Sequence, residues 1–426
     1  MKTVAIHTLG CKLNFAESST IMRQFQESGF TLIDFKEKAD VFVIHSCIVT
    51  HQAERKCIAA IRQAQKRNPD AQIAVIGCMP ELNKERLEQE DGNLLLIGNN
   101  AKFSLPEIIL NGISSDIQQP ETFQPSYSSG DRTRTFLKIQ DGCDYFCSYC
   151  TIPFARGRSR SANIEETLKY ICEATRNGCK ELVLTGINIG DFGKKQSESL
   201  FNLLVEIEKI PTINRLRISS IEPDLLTDEI IELFAASKKF MPHFHIPLQS
   251  GCDKILKLMH RKYATDTFAA RVSKIKQIMP HACIATDIIC GFPGESDEDF
   301  KQTYKFLQKL PISYMHVFTF SERIGTKAYD LEHKVESKLK KARSKKLHEL
   351  SDQKKRFFYA ENRNRVCDTL FESEVHDGYI LGFTDNYVRV KTAYNKEIAN
   401  TIRSTKILKI GADEICGAEL QEQNII

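Results

Sequence analysis

The chain has 426 residues, more than one ordinary hydrophobic core accommodates, which predicts two or three domains. A hydrophobic content of 42% excludes a wholly disordered protein, no apolar run is long enough for a membrane span, and the net charge of +4 says less than its distribution. Since no export signal precedes the first strand-like run, we expect a soluble cytoplasmic protein whose fourteen cysteines serve metals or fill the core rather than form disulfides.

The first hundred residues alternate short apolar runs with amphipathic stretches, which predicts a Rossmann-like parallel sheet covered by helices. The predicted strands are residues 4–8, 41–45, 73–77 and 94–98. A cysteine follows each of the first three runs, at Cys11, Cys47 and Cys78. Any one of them alone is more often a buried small hydrophobe. Because the carboxyl ends of parallel strands meet at one edge, we expect these thiols to converge there and to leave a metal cluster one open site.

A second set of cysteines, Cys143, Cys147 and Cys150, has the spacing C-x-x-x-C-x-x-C and is the most informative feature of the chain. A cubane iron–sulfur cluster has four irons, so three thiolates leave one iron free for a small molecule. Ferredoxins, zinc ribbons and disulfide frameworks use other spacings and a fourth cysteine close by, whereas the next one here is Cys172. The spacing therefore favours a cluster with an open iron over three buried thiols.

Strand-like runs continue at residues 136–140, 181–185, 215–219, 243–247, 284–289 and 314–320, with helical segments such as 164–177, 227–238 and 298–309 between them. Six such units predict a partial or open (β/α) barrel with its chemistry at the carboxyl ends of the strands. Each loop after these strands, taken alone, only makes a turn, but together they predict a cofactor cleft. The candidate cofactor-binding residues are Gly186, Asn188, Glu222, Gln249, Ser250, Gly291, Pro293 and Gly294.

The end of the chain, from Arg365, has short alternating runs broken by Gly, Asp and Asn, which predict a small antiparallel β-barrel. Between residues 332 and 365, twelve Lys or Arg stand against five Asp or Glu, and the place of this segment between two candidate domains favours a polyanion over a merely solvated helix face. Candidate RNA contacts in the barrel are Tyr379, Phe383, Tyr387, Arg389 and Lys391, although each aromatic alone is as readily a core residue.

These motifs, in this order, resemble the radical SAM (S-adenosylmethionine) methylthiotransferases over essentially the whole chain. The cysteine triplet is the signature of radical SAM enzymes, and Tyr149 before its last cysteine fits that signature. Further matching segments are Thr8-Leu9-Gly10-Cys11-Lys12-Leu13-Asn14, Ser46-Cys47-Ile48-Val49-Thr50, Gly77-Cys78-Met79-Pro80, His245-Ile246-Pro247-Leu248-Gln249-Ser250-Gly251 and Gly291-Phe292-Pro293-Gly294-Glu295. The first of these is similar to the opening motif of the branch that modifies threonylcarbamoyladenosine in transfer RNA.

The resemblance implies three domains: residues 1–125 with an auxiliary cluster, residues 126–360 as the radical SAM domain with a basic helical end, and residues 361–426 as a TRAM-like RNA-binding domain. It implies two 4Fe-4S clusters, one on each set of cysteines, and SAM bound at the free iron beside Tyr149. One SAM would methylate a sulfur at the auxiliary cluster. A second would yield the 5′-deoxyadenosyl radical that abstracts the hydrogen from carbon 2 of the adenine. The implied partners are the tRNA anticodon loop and a low-potential flavodoxin-like or ferredoxin-like electron donor; the sequence does not identify the sulfur donor.

Alternative interpretations are a methylthiotransferase acting on isopentenyladenosine or on a ribosomal-protein aspartate, and a non-catalytic RNA-binding iron–sulfur redox sensor. Open coordination sites argue against the sensor, because structural metals have closed sites. The chain departs from the family pattern at His45-Ser46, where Asn-Thr is usual, and at Cys252, where serine is usual. Candidates for reading the carboxylate of the threonylcarbamoyl group are Arg156, Arg158 and Arg160, with phosphate contact or simple exposure as the alternative.

Overall fold

The structure, a computed structural model, describes residues 2–48, 50–90, 94–112, 122–129, 133–176 and 178–421; Val49 of the second cysteine motif and Asn177, the predicted end of a helix, lie outside them. The strands are β1 Thr3–Thr8, β2 Thr31–Leu32, β3 Val41–Ser46, β4 Gln72–Gly77, β5 Leu94–Ile97, β6 Ser126–Tyr127, β7 Arg134–Lys138, β8 Gln140–Asp141, β9 Arg160–Ser161, β10 Glu181–Thr185, β11 Leu216–Ile218, β12 His243–His245, β13 Cys283–Cys290, β14 Tyr314–Thr319, β15 Val366–His376, β16 Tyr379–Thr384, β17 Arg389–Ala393, β18 Ile402–Ile410 and β19 Cys416–Leu420. The α-helices are α1 Lys12–Glu27, α2 His51–Arg67, α3 Cys78–Leu82, α4 Lys84–Glu88, α5 Leu105–Asn111, α6 Ile152–Arg156, α7 Ile164–Arg176, α8 Leu200–Glu208, α9 Asp228–Ala236, α10 Asp253–Leu258, α11 Thr265–Ile278, α12 Asp297–Lys309 and α13 Ser337–Glu361.

The amino-terminal part is a parallel sheet in the order β2-β1-β3-β4-β5, which confirms the predicted α/β layer. Strands β1, β3 and β4 are neighbours, and their register sets Thr8 opposite His45 and Ser46 opposite Gly77. Their carboxyl ends are therefore level, and a cysteine follows each end, three residues after β1 and directly after β3 and β4. Apolar residues cover both faces of the sheet, with α2 on one face and α1 and α5 on the other.

The central part is the predicted partial barrel. Strands β7, β10 and β11 pair in parallel, as do β12, β13 and β14, and a parallel bridge between Leu216 and Phe240 joins the two groups. Outward-facing side chains such as Leu184 and Phe244 belong to one large apolar core that the helices cover. Helix α1 of the first sheet covers part of the inner side, where its Ala16 packs against Phe136 and Val183 of the barrel strands.

The carboxyl-terminal part is a closed barrel in the order β15-β16-β17-β19-β18, as the alternating runs predicted. It sits against the amino-terminal ends of the central strands, because Arg215 and Arg217 donate hydrogen bonds to the carbonyl of Thr384 at 3.1 and 2.8 Å. Helix α13 leads into it and packs on β14, where the Ser351 hydroxyl accepts from the amide of Met315 at 2.9 Å. The basic segment is thus mostly one helix, whose buried residues recur at helical spacing and whose remaining surface faces solvent.

All fourteen cysteines are free thiols, so each remains available as a ligand or as core filling. Across the described ranges, the structure contains no helix with both the length and the apolar character needed to cross a membrane.

We expect Glu181→Gln to destabilise the protein, because the Glu181 carboxylate is the buried partner of Arg215 and Arg217 at 2.9 and 2.8 Å. Removing one member of a buried ion pair typically costs about 3–5 kcal/mol. Burial alone would raise the pKa of Glu181, but Arg217 and Arg215 outweigh it and lower that pKa to about 2. The carboxylate therefore contributes stability above its unfolded pKa of about 4.3, and that contribution is lost as the pH falls through about 2.

Unfolding midpoints measured between pH 7 and pH 2 test this expectation: the gap between wild type and variant should be widest at neutral pH and should shrink in acid. The matched control is Glu298→Gln, since Glu298 is exposed and only loosely paired with Lys301 at 3.8 Å. Equal midpoints for both variants at pH 7 would contradict the assigned role of Glu181.

Candidate active site between two cysteine sets

The first cysteine set lies at the level carboxyl ends of the amino-terminal sheet. Cys11 ends the β1 loop and precedes α1, Cys47 follows β3, and Cys78 begins α3. Gly10 brings the first loop against Cys47: it has φ +98°, and a Cβ there would lie 2.7 Å from the Cβ of Cys47 and 3.0 Å from its Sγ. Only glycine fits this position without strain. The three sequence-predicted ligands therefore share one edge of the sheet, as expected.

Two asparagines hold these cysteines in place. The Asn14 side-chain amide donates to the carbonyls of Leu9 and Ser46 at 2.7 and 3.0 Å, and its oxygen lies 3.6 Å from the Sγ of Cys11. The Asn99 amide lies 3.6 Å from the Sγ of Cys78. The Asn99 amide is the donor of this pair, and a donor beside a cysteine sulfur stabilises negative charge in an iron–sulfur site, whereas the Asn14 oxygen accepts from the Cys11 thiol. The three thiols at this edge fit a cluster with three thiolate ligands.

The second cysteine set occupies the loop after β7. Strands β8 and β9 pair across the base of this loop and close it. Inside it, the amide of Cys143 donates to the carbonyl of Gly157 at 3.1 Å, and the amide of Cys150 donates to that of Cys147 at 3.0 Å. Arg261 donates from Nη1 to the Sγ of Cys147 at 3.0 Å. A cation beside this sulfur favours the thiolate form that an iron cluster requires.

Helix α6 connects the two sets. It begins two residues after Cys150, and its Ala155 packs with Ile48 and Cys78 in one small apolar cluster. The carbonyl of Ala155 also accepts a hydrogen bond from Asn99 at 2.8 Å. A single turn of helix thus lies against residues that border both cysteine sets.

At the end of α6, Arg156 enters a buried charge network that the sequence reasoning missed. Its guanidinium donates to Asn14 at 2.6 Å, to Glu17 at 3.1 Å and to Asp141 at 3.0 Å. The Glu17 carboxylate also accepts from Lys102 at 2.6 Å and from Lys138 at 2.8 Å. All of these side chains are almost fully buried. With Arg160, which pairs with Asp141 at 3.3 Å, four cations face two carboxylates, which leaves an excess of positive charge to balance anionic sulfur nearby.

The pKa shifts in this network follow from burial opposed by opposite charge. Burial would raise the pKa of Glu17, but Arg156 and Lys102 outweigh it and hold that pKa well below its usual range. Burial lowers the pKa of Lys102 to about 8, although Glu17 counteracts it. The sequence did not reveal this network. Its residues follow no periodic pattern, and Glu and Lys side chains ordinarily occupy surface positions.

A cavity of about 230 Å³ opens between the amino-terminal part and the barrel. Its lining includes Thr50 from the first part, and Tyr149, Cys150, Gln249 and Arg323 from the second. Arg323 also pairs with Glu54 of α2 across the same boundary. The cavity therefore adjoins the second cysteine set and has room for a small ligand.

Some predicted cofactor-binding residues lie at this end of the barrel. Gln249, in the left-handed region at φ +70°, lines the cavity. Glu222 pairs with Arg261, the residue that contacts Cys147. Burial raises the pKa of Glu222 to about 7, although Arg261 opposes it.

The other predicted cofactor residues make contacts within the protein. Gly186 and Asn188 pack against Gln140, which accepts from the amide of Asn188 at 2.9 Å. Ser250 is buried 3.3 Å from the hydroxyl of Thr303. The loop containing Gly291, Pro293 and Gly294 contacts α13: the amide of Gly291 donates to Glu295 at 2.7 Å, and Glu295 pairs with Arg343 at 2.6 Å. Their role toward a cofactor stays a prediction.

Several predicted RNA contacts have partners within the protein and are half-buried. Tyr387 stacks on His243 at a centroid distance of 4.1 Å and on Phe383 at 4.4 Å, so both aromatics take part in the contact between the two barrels. Arg389 is paired with Glu372 at 2.7 Å. Among the five candidates, Tyr379 is the exposed aromatic, with Lys391 over its ring at 4.9 Å.

The three candidate carboxylate readers also differ in availability. Arg156 is 2% exposed and committed to the buried network, which removes it from that role. Arg160 donates to the Arg156 carbonyl at 2.6 Å and to Asp141 at 3.3 Å. Arg158 is largely exposed, stacked over Phe146 at 4.4 Å and loosely paired with Asp144. The three arginines stand at every second position after the cysteine triplet, and this pattern alone could not show that their environments differ.

The residues that depart from the family pattern, His45-Ser46 and Cys252, are all buried and make specific contacts. His45 is buried, with Nδ1 2.9 Å from the hydroxyl of Ser18, while the Ser46 hydroxyl donates to the carbonyl of Ile76 at 2.7 Å and accepts from the amide of Met79 at 3.0 Å. Ser46 thus fixes the start of the helix that begins with Cys78. Cys252 is buried, and its thiol lies 3.4 Å from the carboxylate of Asp299.

Comparison with known families agrees with this architecture. Residues 3–98 match the family described as "Uncharacterized protein family UPF0004", and residues 137–307 match the radical SAM superfamily. The fold and its cysteine triplet therefore define a radical SAM enzyme. The Threonylcarbamoyladenosine tRNA methylthiotransferase MtaB of Bacillus subtilis is 37% identical over 96% of this chain and 95% of its own length. The tRNA-2-methylthio-N(6)-dimethylallyladenosine synthase of Thermodesulfovibrio yellowstonii is 31% identical over 96% of each chain. This chain belongs to the radical SAM methylthiotransferase family and is a transferase.

Solved structures share the fold. The radical SAM methyltransferase TsrM of Kitasatospora setae, with cobalamin and a 4Fe-4S cluster bound, matches with a TM-score of 0.56 at 13% identity over 77% of each chain. At this identity, the likeness concerns the fold alone. Membership of the radical SAM superfamily implies one 4Fe-4S cluster and SAM, and Cys143, Cys147 and Cys150 are the residues that fit that cluster.

We expect Gly10→Ala to disrupt the first cysteine set, because the added methyl group would displace Cys47. The iron content of the anaerobically reconstituted protein should then fall from about eight atoms per chain to about four, if each set holds one cubane cluster. Gly29→Ala is the matched control, since Gly29 has a similar φ of +85° but open space where the methyl group would lie. Equal iron contents for both variants would show that the Gly10 contact does not govern the site.

Proposed function

We propose that this transferase methylthiolates carbon 2 of N6-threonylcarbamoyladenosine next to the anticodon of tRNA, giving 2-methylthio-N6-threonylcarbamoyladenosine. The observation that carries the proposal is the pair of three-cysteine sets joined through α6 and Arg156. One three-cysteine set is what SAM cleavage requires. A second, held against it by a buried network, supports a reaction that also delivers sulfur.

The chemistry of the substrate explains the need for both sets. Carbon 2 of adenine has neither an acidic hydrogen nor a leaving group, so acid–base or nucleophilic catalysis offers no easy path, whereas a radical does. When bound, the cluster on the second set supplies the electron for SAM cleavage, and the cluster on the first set supplies the methylthio group. The protein's own contribution is to place the base between them and to exclude water.

Different residues border the SAM side and the sulfur side of the proposed site. Arg261 and Glu222 border Cys147 on the SAM side, and Gln249 lines the adjoining cavity. Asn14 and Asn99 border Cys11 and Cys78 on the sulfur side. Since the buried network bonds directly to Asn14 and Asn99, it fixes the sulfur side relative to α6 of the SAM side.

Exposed surfaces of α13 and of the closed barrel are suited to RNA. The exposed face of α13 carries Lys338, Lys341, Lys345 and Lys346, and the closed barrel beside it presents Tyr379. Lysines that neutralise phosphates and an exposed aromatic for base stacking are typical of proteins that hold single-stranded RNA loops. A base in such a loop leaves its stack at low cost, so it can enter a pocket. We propose that the closed barrel acts as a TRAM-like RNA-binding domain.

The main alternative substrate is isopentenyladenosine, because relatives of both substrate types align along nearly the whole chain. The threonylcarbamoyl assignment is supported by the opening motif through Lys12 and by the higher identity to proteins named for that substrate.

Nucleoside mass spectrometry of tRNA tests the proposal in cells that lack the gene and carry wild type, Cys143→Ala or Cys11→Ala. We expect 2-methylthio-N6-threonylcarbamoyladenosine with the wild type only, and its unmethylthiolated precursor to accumulate in both variants. Cys172→Ala is the matched control, since Cys172 lies on α7 outside both sets. An unchanged profile on deletion would overturn the assignment, and loss of the isopentenyl product instead would favour the alternative substrate.

A further inference from the structure

The inner side of the partial barrel is a polar column below the cavity. Side chains from successive strands contact one another across it: His245 lies 2.9 Å from Asp287 and 2.6 Å from the Ser220 hydroxyl, and its ring meets His316 at a centroid distance of 5.4 Å. Farther down, His243 contacts the Tyr314 hydroxyl at 3.4 Å. An isopentenyl group has no polar atom that could hydrogen-bond to this column, whereas a polar substituent has.

Lys12 reaches this column from the amino-terminal part. It opens α1, three and four residues before Phe15 and Ala16, which pack against Phe136 and Val183 on the inner side of the barrel. Residues at this spacing share one face of a helix, so Lys12 faces the column as well. The groups whose charges act on Lys12, or on which its charge acts, agree with this position: Tyr387, Arg134, Arg217, His243 and His316, together with the adjacent Cys11.

The column has an excess of positive charge. Arg217 and Arg215 are paired with Glu181, and Asp287 faces His245, whereas Lys12 forms no ion pair or hydrogen bond within the described part of the chain. Two buried nitrogens also lack partners among the described residues, Nη1 of Arg217 and Nδ1 of His243. Lys12 itself is an exposed residue and directly follows Cys11 of the sulfur-side set. An anionic group entering here would find a free ammonium and unsatisfied polar atoms.

We propose that Lys12 binds the carboxylate of the threonylcarbamoyl side chain inside this column and thereby selects the substrate. The inference rests on the proposed function. The column supplies hydroxyl and imidazole groups for the polar remainder of the side chain, and the ammonium pairs with its terminal charge. Lys12 precedes the helical turn that leads to Asn14 and Glu17, so recognition occurs directly beside the sulfur-side cysteines.

The test compares two anticodon-loop hairpins that differ only in one group. One carries N6-threonylcarbamoyladenosine, and the other carries the same nucleoside with its carboxylate converted to an uncharged amide. Their affinities for the cluster-loaded protein are measured without reductant by fluorescence anisotropy, for wild type, Lys12→Gln and Lys12→Arg. Iron content and unfolding midpoint of each variant show that it is folded and loaded.

We expect wild type to bind the acid hairpin roughly tenfold more tightly than the amide hairpin, as one charge-assisted hydrogen bond allows. Lys12→Gln should bind both alike, and Lys12→Arg should keep most of the preference because it keeps the charge. Equal weakening of both hairpins in Lys12→Gln would overturn the inference in favour of a phosphate contact, as would an unchanged preference. The inference also fails if wild type does not discriminate. Methylthiolation of the acid hairpin by the wild type, assayed separately, shows whether the proposed function survives that failure.

Discussion

The pairing of Glu17 with Arg156 is the interaction on which the arrangement of the site depends. Glu17 belongs to the helix that follows Cys11, and Arg156 ends the helix that follows Cys150. Their contact at 3.1 Å is buried and is reinforced by Lys102 and Lys138 from two other elements. Apolar packing could hold two layers together with some freedom to slide, whereas hydrogen-bonded charges fix the register of the contact.

Buried ion pairs rarely add net stability, because the loss of hydration offsets their attraction. Here the buried ion pairs fix the position of the amino-terminal sheet relative to the barrel. Removal of one member leaves an unpaired buried charge, so each partner requires the others, and the whole network forms only when the amino-terminal sheet and the barrel meet correctly. The two edges that carry the cysteine sets are built on separate sheets and would otherwise have no fixed relation. The excess of positive charge in the network also suits a place beside anionic sulfur.

Much of this organisation could be predicted from local patterns. The runs that end in Cys11, Cys47 and Cys78 are short, apolar and followed by helices, and the structure has a parallel sheet there with three adjacent ends. The six strands of the partial barrel were equally clear. Motif spacing indicated both cysteine sets, because ligands to one cluster must lie close in the chain or at equivalent strand ends; their role as cluster ligands stays a prediction.

Other features could not be predicted, because they depend on contacts between elements that are distant in the chain. Tyr387 and Phe383 are aromatics of the kind that stack on RNA bases, yet Tyr387 stacks on His243 and on Phe383 between the two barrels. Arg156 follows a cysteine motif, where a substrate-binding residue is expected, yet its guanidinium is paired with Glu17, 139 residues away in the chain. Neither partner can be read from local sequence, since the contacts join elements whose meeting depends on the entire fold.

The most direct test of the account measures coupling in Glu17→Gln: the ratio of 5′-deoxyadenosine released to methylthiolated nucleoside formed, compared with wild type. This ratio does not depend on the fraction of folded protein. If the network positions the sulfur side against the SAM side, the ratio should rise several-fold, because a displacement of about 1 Å can lower a rate by a factor of about 10². A ratio equal to that of wild type would contradict the claim that Glu17 and Arg156 hold the two cysteine sets as one active site.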